Sequence, residues 1–149
     1  MQSNKKPLMN VSQLHRFLVD VFPQVKNDFR IESVSCSEIK VKMFVQDKHL
    51  RPGGTISGPS MFGLADVSVY LLTIAQIGPK ALAVTTNISM DFMRKPSGGN
   101  DLVAWARLLK LGRRLSVGEV LIFSDDLDNP VARASMTYSI PPVGSKADV

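Results

Sequence analysis

Ser57–Ile77 reads SGPSMFGLADVSVYLLTIAQI, an almost wholly apolar run with a single charge, Asp66, near its middle. Ser57 is placed to cap a helix, and Pro59 suits the first turn, where its missing N–H has no helical partner to lose. Gly78-Pro79 then ends the helix. Apolar residues fall on every side of the wheel, and a helix of that kind is buried on every side. The rest of the chain must therefore wrap it. As a membrane span the run is short: Met61–Ile77 falls below the roughly 20 apolar residues a bilayer needs. It also carries a carboxylate where hydrocarbon makes charge costly. It reads as the core helix of a soluble domain.

The wrapping material lies on both sides. Leu14, Phe17, Leu18, Val21 and Phe22 form one apolar stripe of an amphipathic helix, with Ser12 as its expected N-cap and Pro23 as its stop. Phe29–Val45 alternates and reads as one long strand, or two with a bulge near Cys36–Ser37. Ala83–Met93 alternates Val84, Thr86, Ile88, Met90 and Phe92 against Thr85, Asn87, Ser89, Asp91 and Met93. Leu102–Leu111, Leu115–Phe123 and Val131–Ile140 follow as strands joined by short turns, an antiparallel meander. One buried helix and one antiparallel sheet of five to six strands define an α+β fold. A single curved sheet cannot cover every side of the helix, so a second copy of the chain is expected to close it.

The 149 residues, 44% hydrophobic and 21% charged, suit one domain with a core of its own. Its expected divisions are an N-terminal segment with the amphipathic helix (1–28), a core (29–141) and a flexible tail (142–149). The lone Cys36 cannot form an internal disulfide, and the first residues carry no apolar leader, so the expected compartment is the cytoplasm. The net charge of +5 is a mild excess spread over the chain, with a local concentration at Arg94, Lys95, Arg113 and Arg114. Such a set suits a nucleotide phosphate. Few aromatics interleave with the basic residues, and no nucleic-acid recognition motif is present. His15 reads as a helix-edge residue and His49 as a loop residue, with no second ligand at metal spacing.

An isolated carboxylate in an apolar helix must be hydrogen-bonded, paired or protonated. Asp66 therefore reads either as a reactive group or as a carboxylate bonded across a subunit boundary. Gly53, Gly54 and Gly58 lie just upstream. The free N–H groups of the helix's first turn, backed by its dipole, form a candidate oxyanion site at Gly58. Asp66 lies about two turns further on, so both groups can act on one carbonyl if the substrate runs along the helix or the carboxylate comes from a second chain.

RPGGTISGPSMFGLAD (51–66) followed by AVTTNISMDFMRKP (83–96) resembles the hotdog-fold acyl-CoA thioesterases of the PaaI-like and 4-hydroxybenzoyl-CoA type, over roughly residues 29–140. The resemblance implies a hotdog fold and hydrolysis of an acyl-CoA to acid and free CoA. It places the catalytic carboxylate, as general base or nucleophile, at Asp66, and the backbone N–H that polarises the thioester carbonyl at Gly58. Thr85 falls near a water-holding Ser or Thr. Three positions depart from the family pattern of Asn or Gln followed by His-Gly-Gly: Arg51 replaces the amide, Ser57 the histidine and Pro59 the second glycine. Arg51 then has three uses: binding an acidic substrate group, pairing with Asp66, or facing solvent. Ser60 can assist at the helix start. Arg94, Lys95, Arg113 and Arg114 are the candidate CoA-phosphate contacts. Met61, Phe62, Tyr70, Met90 and Met93 divide between acyl pocket and core. The resemblance implies no metal and no cofactor apart from the CoA of the substrate. It also implies a homodimer, further paired as a dimer of dimers (a homotetramer), without nucleic-acid or membrane partners. Two rival readings remain: an acyl-CoA-binding protein without turnover, and a hotdog dehydratase or hydratase, which requires a histidine beside Asp66.

Overall fold

The computed structural model describes residues 5–79, 82–125 and 128–142. Apart from residue 142, the expected tail lies outside the described residues. Helix α1 spans Val11–Val21 and α2 spans Gly58–Ile77. The strands are β1 (Phe29–Val34), β2 (Glu38–Met43), β3 (Val84–Phe92), β4 (Leu102–Leu111), β5 (Leu115–Ser124) and β6 (Ala132–Ser139).

Asn10, not Ser12, caps α1. Its side chain accepts the Gln13 N–H at 2.9 Å, and the Gln13 side chain accepts the Asn10 N–H at 2.9 Å. This reciprocal box satisfies two donors that the first turn leaves without partners. The sequence offers Ser12 no Glu or Gln three residues on, only His15. Leu14 and Leu18 are fully buried, each contributing about 1.5–3 kcal/mol. The expected stripe does not stay buried to its end, because Val21 and Phe22 are about two-fifths exposed (41% and 42%).

α2 begins and ends where the sequence places it. Ser57 Oγ accepts the Ser60 N–H at 3.3 Å, and Gly78 adopts φ 94°, a left-handed backbone that glycine takes without steric cost. Leu64, Ala65, Val69, Leu71, Leu72, Ile74 and Ala75 have no exposed surface. Among the side chains that keep some, Pro59, Phe62, Asp66 and Tyr70 recur every three to four residues. They form one open stripe along a helix otherwise enclosed. The buried hydroxyls on α2 are satisfied: Ser68 donates to the Leu64 carbonyl at 2.7 Å, and Thr73 Oγ1 lies 2.9 Å from Ser116 Oγ on β5. α2 passes a length and composition test for a membrane span, but most of it is buried inside this fold.

The six strands form one antiparallel sheet in the order β1-β2-β4-β5-β6-β3, wrapped round α2 in a hotdog fold. Phe29–Val45 is two strands. The chain turns rather than bulges at Cys36–Ser37, where Ser35 Oγ accepts the N–H groups of Glu38 (3.0 Å) and Ser37 (3.3 Å). The irregularity in this hairpin lies at Ile31/Ser33 instead. The β4-β5-β6 meander is present as expected. The sheet presses closely on the helix at Gly118, where an added Cβ would lie 3.2 Å from both the Arg107 carbonyl and the Val69 side chain.

β3 pairs only with β6 and forms one end of the sheet. Its alternation is not the one its sequence suggests. Thr85 pairs with Tyr138 and Asn87 with Thr137, leaving Thr86 as an extra residue in the ladder. This bulge resets the phase of the strand. Thr85, Ile88 and Met90 are half-buried, whereas Thr86 and Asn87 are exposed. Thr85 therefore joins the helix-facing side that simple alternation denies it.

Candidate active site

Asp66 sits half-exposed on the open stripe of α2. Thr85 Oγ1 donates to its Oδ1 at 2.5 Å, and the Tyr138 hydroxyl donates to the same oxygen. Tyr138 also lies 2.7 Å from the Asp66 backbone carbonyl. Thr85 and Tyr138 are direct cross-strand partners, so β3 and β6 present two hydroxyls side by side to one carboxylate oxygen. No hydrogen bond reaches Oδ2 among the described residues. Burial, then the negative charge of Asp66, pushes the Tyr138 phenol far above its ordinary value, so it remains protonated and a donor.

Asp66 opens onto a cavity of about 500 Å³ lined by Val21, Phe22, Val67, Tyr70, Val84 and Thr85, among others. Among the described residues, the lining holds no charged side chain apart from Asp66 itself. Phe17, Tyr70 and Tyr138 form a row of rings, each neighbouring pair 6.2 Å apart. Neither histidine lines this cavity. His15 is exposed on α1, and His49 is buried, its Nδ1 accepting the Gln46 N–H at 3.0 Å.

Gly58 lines a different cavity, of about 350 Å³, together with Arg51, Met61, Phe92, Met93, Arg94 and Lys95. The Phe92 ring lies against Gly58, 3.4 Å from where a Cβ would stand. Arg51 therefore accompanies Gly58 rather than Asp66, and Arg94 is held by a 2.6 Å bond from Nη1 to the Pro130 carbonyl. Ser57 and Ser60 lie at the helix start, their hydroxyls 2.8 Å apart, with Ser60 Oγ donating to the His49 carbonyl at 3.3 Å. Pro59 is exposed. Arg113 and Arg114 line further cavities near Ile77, at the opposite end of α2. The fold thus groups Asp66 with Thr85, and Gly58 with Arg51, Arg94 and Lys95, and keeps the two groups in separate cavities of one chain.

Of the side chains divided between pocket and core, Tyr70 lines the Asp66 cavity, Met61 and Met93 line the Gly58 cavity, Phe62 is exposed, and Met90 packs against the core. Sequence reasoning missed Val21, Phe22 and Tyr138. The signal for Tyr138 was available: it continues the inward alternation Ala132, Ala134, Met136, and a buried tyrosine hydroxyl needs a partner.

A helix enclosed by a curved antiparallel sheet, with its one carboxylate on the open stripe, defines a hotdog-fold protein. The family model described as Thioesterase superfamily matches residues 53–131, more than half of the chain, and the chain belongs to that family as a thioester hydrolase. A candidate thioesterase from Silicibacter sp. TM1040 is 55% identical, with 94% of this chain and 97% of that one covered at a TM-score of 0.87. A variant of the phenylacetic acid degradation protein PaaI from Thermus thermophilus is 26% identical, covering 80% and 99% at a TM-score of 0.70. A hypothetical thioesterase from Streptococcus pneumoniae, solved with coenzyme A, is like this chain in fold, at 20% identity, 89% and 97% coverage and a TM-score of 0.71.

Proposed function

We propose that the protein hydrolyses acyl-CoA thioesters of small to medium or aromatic acyl groups, and that Asp66 performs the chemistry. One observation carries this reading: Asp66 has one carboxylate oxygen held by two hydroxyls and the other without a hydrogen bond among the described residues, on the wall of an apolar cavity. The acyl group occupies that cavity, which among the described residues offers a charged acyl terminus no cationic partner. Oδ2 takes a proton from water, the hydroxide adds to the thioester carbonyl, and the C–S bond then breaks to release CoA thiolate. Direct attack by Asp66, giving an anhydride that water cleaves, starts from the same oxygen.

The carbonyl oxygen needs a donor, and the hydroxyls of Thr85 and Tyr138 are already committed to Asp66. In the proposed assembly that donor is the backbone N–H of Gly58 of the partner subunit, at a helix N-terminus. Arg51, Arg94 and Lys95 surround Gly58 and suit the CoA phosphates. The coenzyme A held by the Streptococcus pneumoniae neighbour supports a CoA ester as the ligand class.

The test is thiol release from a panel running from acetyl-CoA to decanoyl-CoA with benzoyl-CoA and phenylacetyl-CoA. The wild-type protein is expected to turn over the apolar members, and Asp66→Asn to lose about 100-fold to 10,000-fold in kcat. Turnover that persists in Asp66→Asn overturns the role of Asp66. Tight binding of the CoA esters with no thiol released by wild type would instead favour a binding protein.

A further inference from the structure

We infer that Tyr138 is a positioning residue for the reaction: its hydroxyl, with that of Thr85, locks Oδ1 of Asp66 so that Oδ2 alone faces the acyl cavity. The inference rests on the role proposed for Asp66 and extends it to a residue on the opposite side of the helix–sheet junction.

Three observations meet at this point. First, the Tyr138 hydroxyl touches both the side chain and the main chain of Asp66, its backbone carbonyl at 2.7 Å. A group that bridges the two ends of one residue fixes the torsion between them. Second, Thr85 reaches the same oxygen from the neighbouring strand, and the bulge at Thr86 is what turns Thr85 inward. Two donors from different strands determine the carboxylate plane in a way that one donor cannot. Third, Tyr138 is itself buried, only 2% exposed, with its ring 6.2 Å from that of Tyr70. The desolvated phenol stays protonated beside the carboxylate, so it donates throughout and takes no part as an acid. A carboxylate free to rotate about its Cβ–Cγ bond would offer either oxygen to water and spend much of its time misaligned. Removing the clamp should therefore reduce turnover and leave substrate affinity largely alone.

The experiment is steady-state kinetics on the best acyl-CoA of the panel, for wild type, Tyr138→Phe and Asp66→Asn, with thermal melting of each. Phenylalanine keeps the ring and deletes only the oxygen. The expected result for Tyr138→Phe is a kcat about 10-fold to 100-fold lower with KM within about twofold, a displacement effect of the size seen when a reacting group loses its alignment. A kcat within about twofold of wild type, while Asp66→Asn is inactive, overturns the positioning role and leaves the proposed function standing. Activity retained by Asp66→Asn overturns the proposed function itself. If Tyr138→Phe does not fold, the same oxygen can be released from the half-exposed side: Thr85→Val should lose turnover and Thr85→Ser keep it. Full turnover in Thr85→Val would overturn the clamp.

Discussion

His49 shows how one buried side chain ties stability to pH. It is 7% exposed, its Nδ1 accepts the Gln46 N–H, and its carbonyl accepts the Ser57 N–H at 2.8 Å. Burial lowers its pKa below 6.5; Lys48 adds to the effect and Asp28 opposes it. Between that lowered value and about 6.5 the unfolded chain holds a proton the native chain lacks, so stability rises with pH through this window. Urea midpoints should accordingly fall on acidification below about pH 6.5. His49→Gln should flatten that slope; an unchanged slope would place its source elsewhere. Ser57 is simpler. Its hydroxyl caps α2, so Ser57→Ala should cost about 0.5–2 kcal/mol in denaturant titration. That cap was legible because capping is local: a serine, a proline and a helical run in sequence suffice. The partners of Asp66 were not equally legible. Thr85 was reached by resemblance, against its own alternation, and Tyr138 lies 72 residues away on a strand whose register no local pattern states.

At the scale of elements, α1 does more than cover the core. Its buried half anchors it through Leu14 and Leu18, and its far end sends Val21 and Phe22 to the wall of the Asp66 cavity. The two halves should separate experimentally. Leu18→Ala should destabilise the fold by about 2–5 kcal/mol in denaturant titration. Phe22→Ala, at a partly exposed site, should leave melting nearly unchanged and shift the acyl-CoA preference toward longer chains. An unchanged preference would remove α1 from the pocket. The sequence stripe from Leu14 to Phe22 looked uniform because periodicity reports which face is apolar, not what that face meets. The strand pattern failed at β3 for a related reason. A bulge costs one residue of phase and carries no composition of its own, so the alternation groups Thr86 with Ile88 and Met90, whereas Thr85 shares their half-buried side and Thr86 stands exposed.

For the whole molecule, the decisive feature is the edge. β3 closes one end of the sheet and leaves Val84 56%, Phe92 52% and Met93 45% exposed. Natural sheets seldom leave so apolar an edge open. The assembly proposed above would use this edge if two chains meet there so that the Gly58 cavity of one faces the Asp66 cavity of the other. Asn87→Asp combined with Ser89→Asp adds like charges beside Asp91 on that edge. The pair should yield a folded monomer by analytical ultracentrifugation with thioesterase turnover reduced about 100-fold or more, the loss expected when an oxyanion donor is withdrawn. A fully active monomer would show that one chain suffices. The expectation of a second copy came from a helix greasy on every side; which strand forms the open edge was not readable, since strand order depends on pairings remote in sequence.

The buried bond between Thr73 and Ser116 has one more consequence. A rod equally oily all round can be spun about its long axis without changing how much oil it hides, so hydrophobicity alone leaves its angular setting undefined. A hydroxyl that must find one counterpart on the surrounding wall acts as a keyway: only one rotation satisfies it. That same rotation aims Asp66 outward, so a pair of small alcohols sets the heading of the carboxylate proposed for the chemistry.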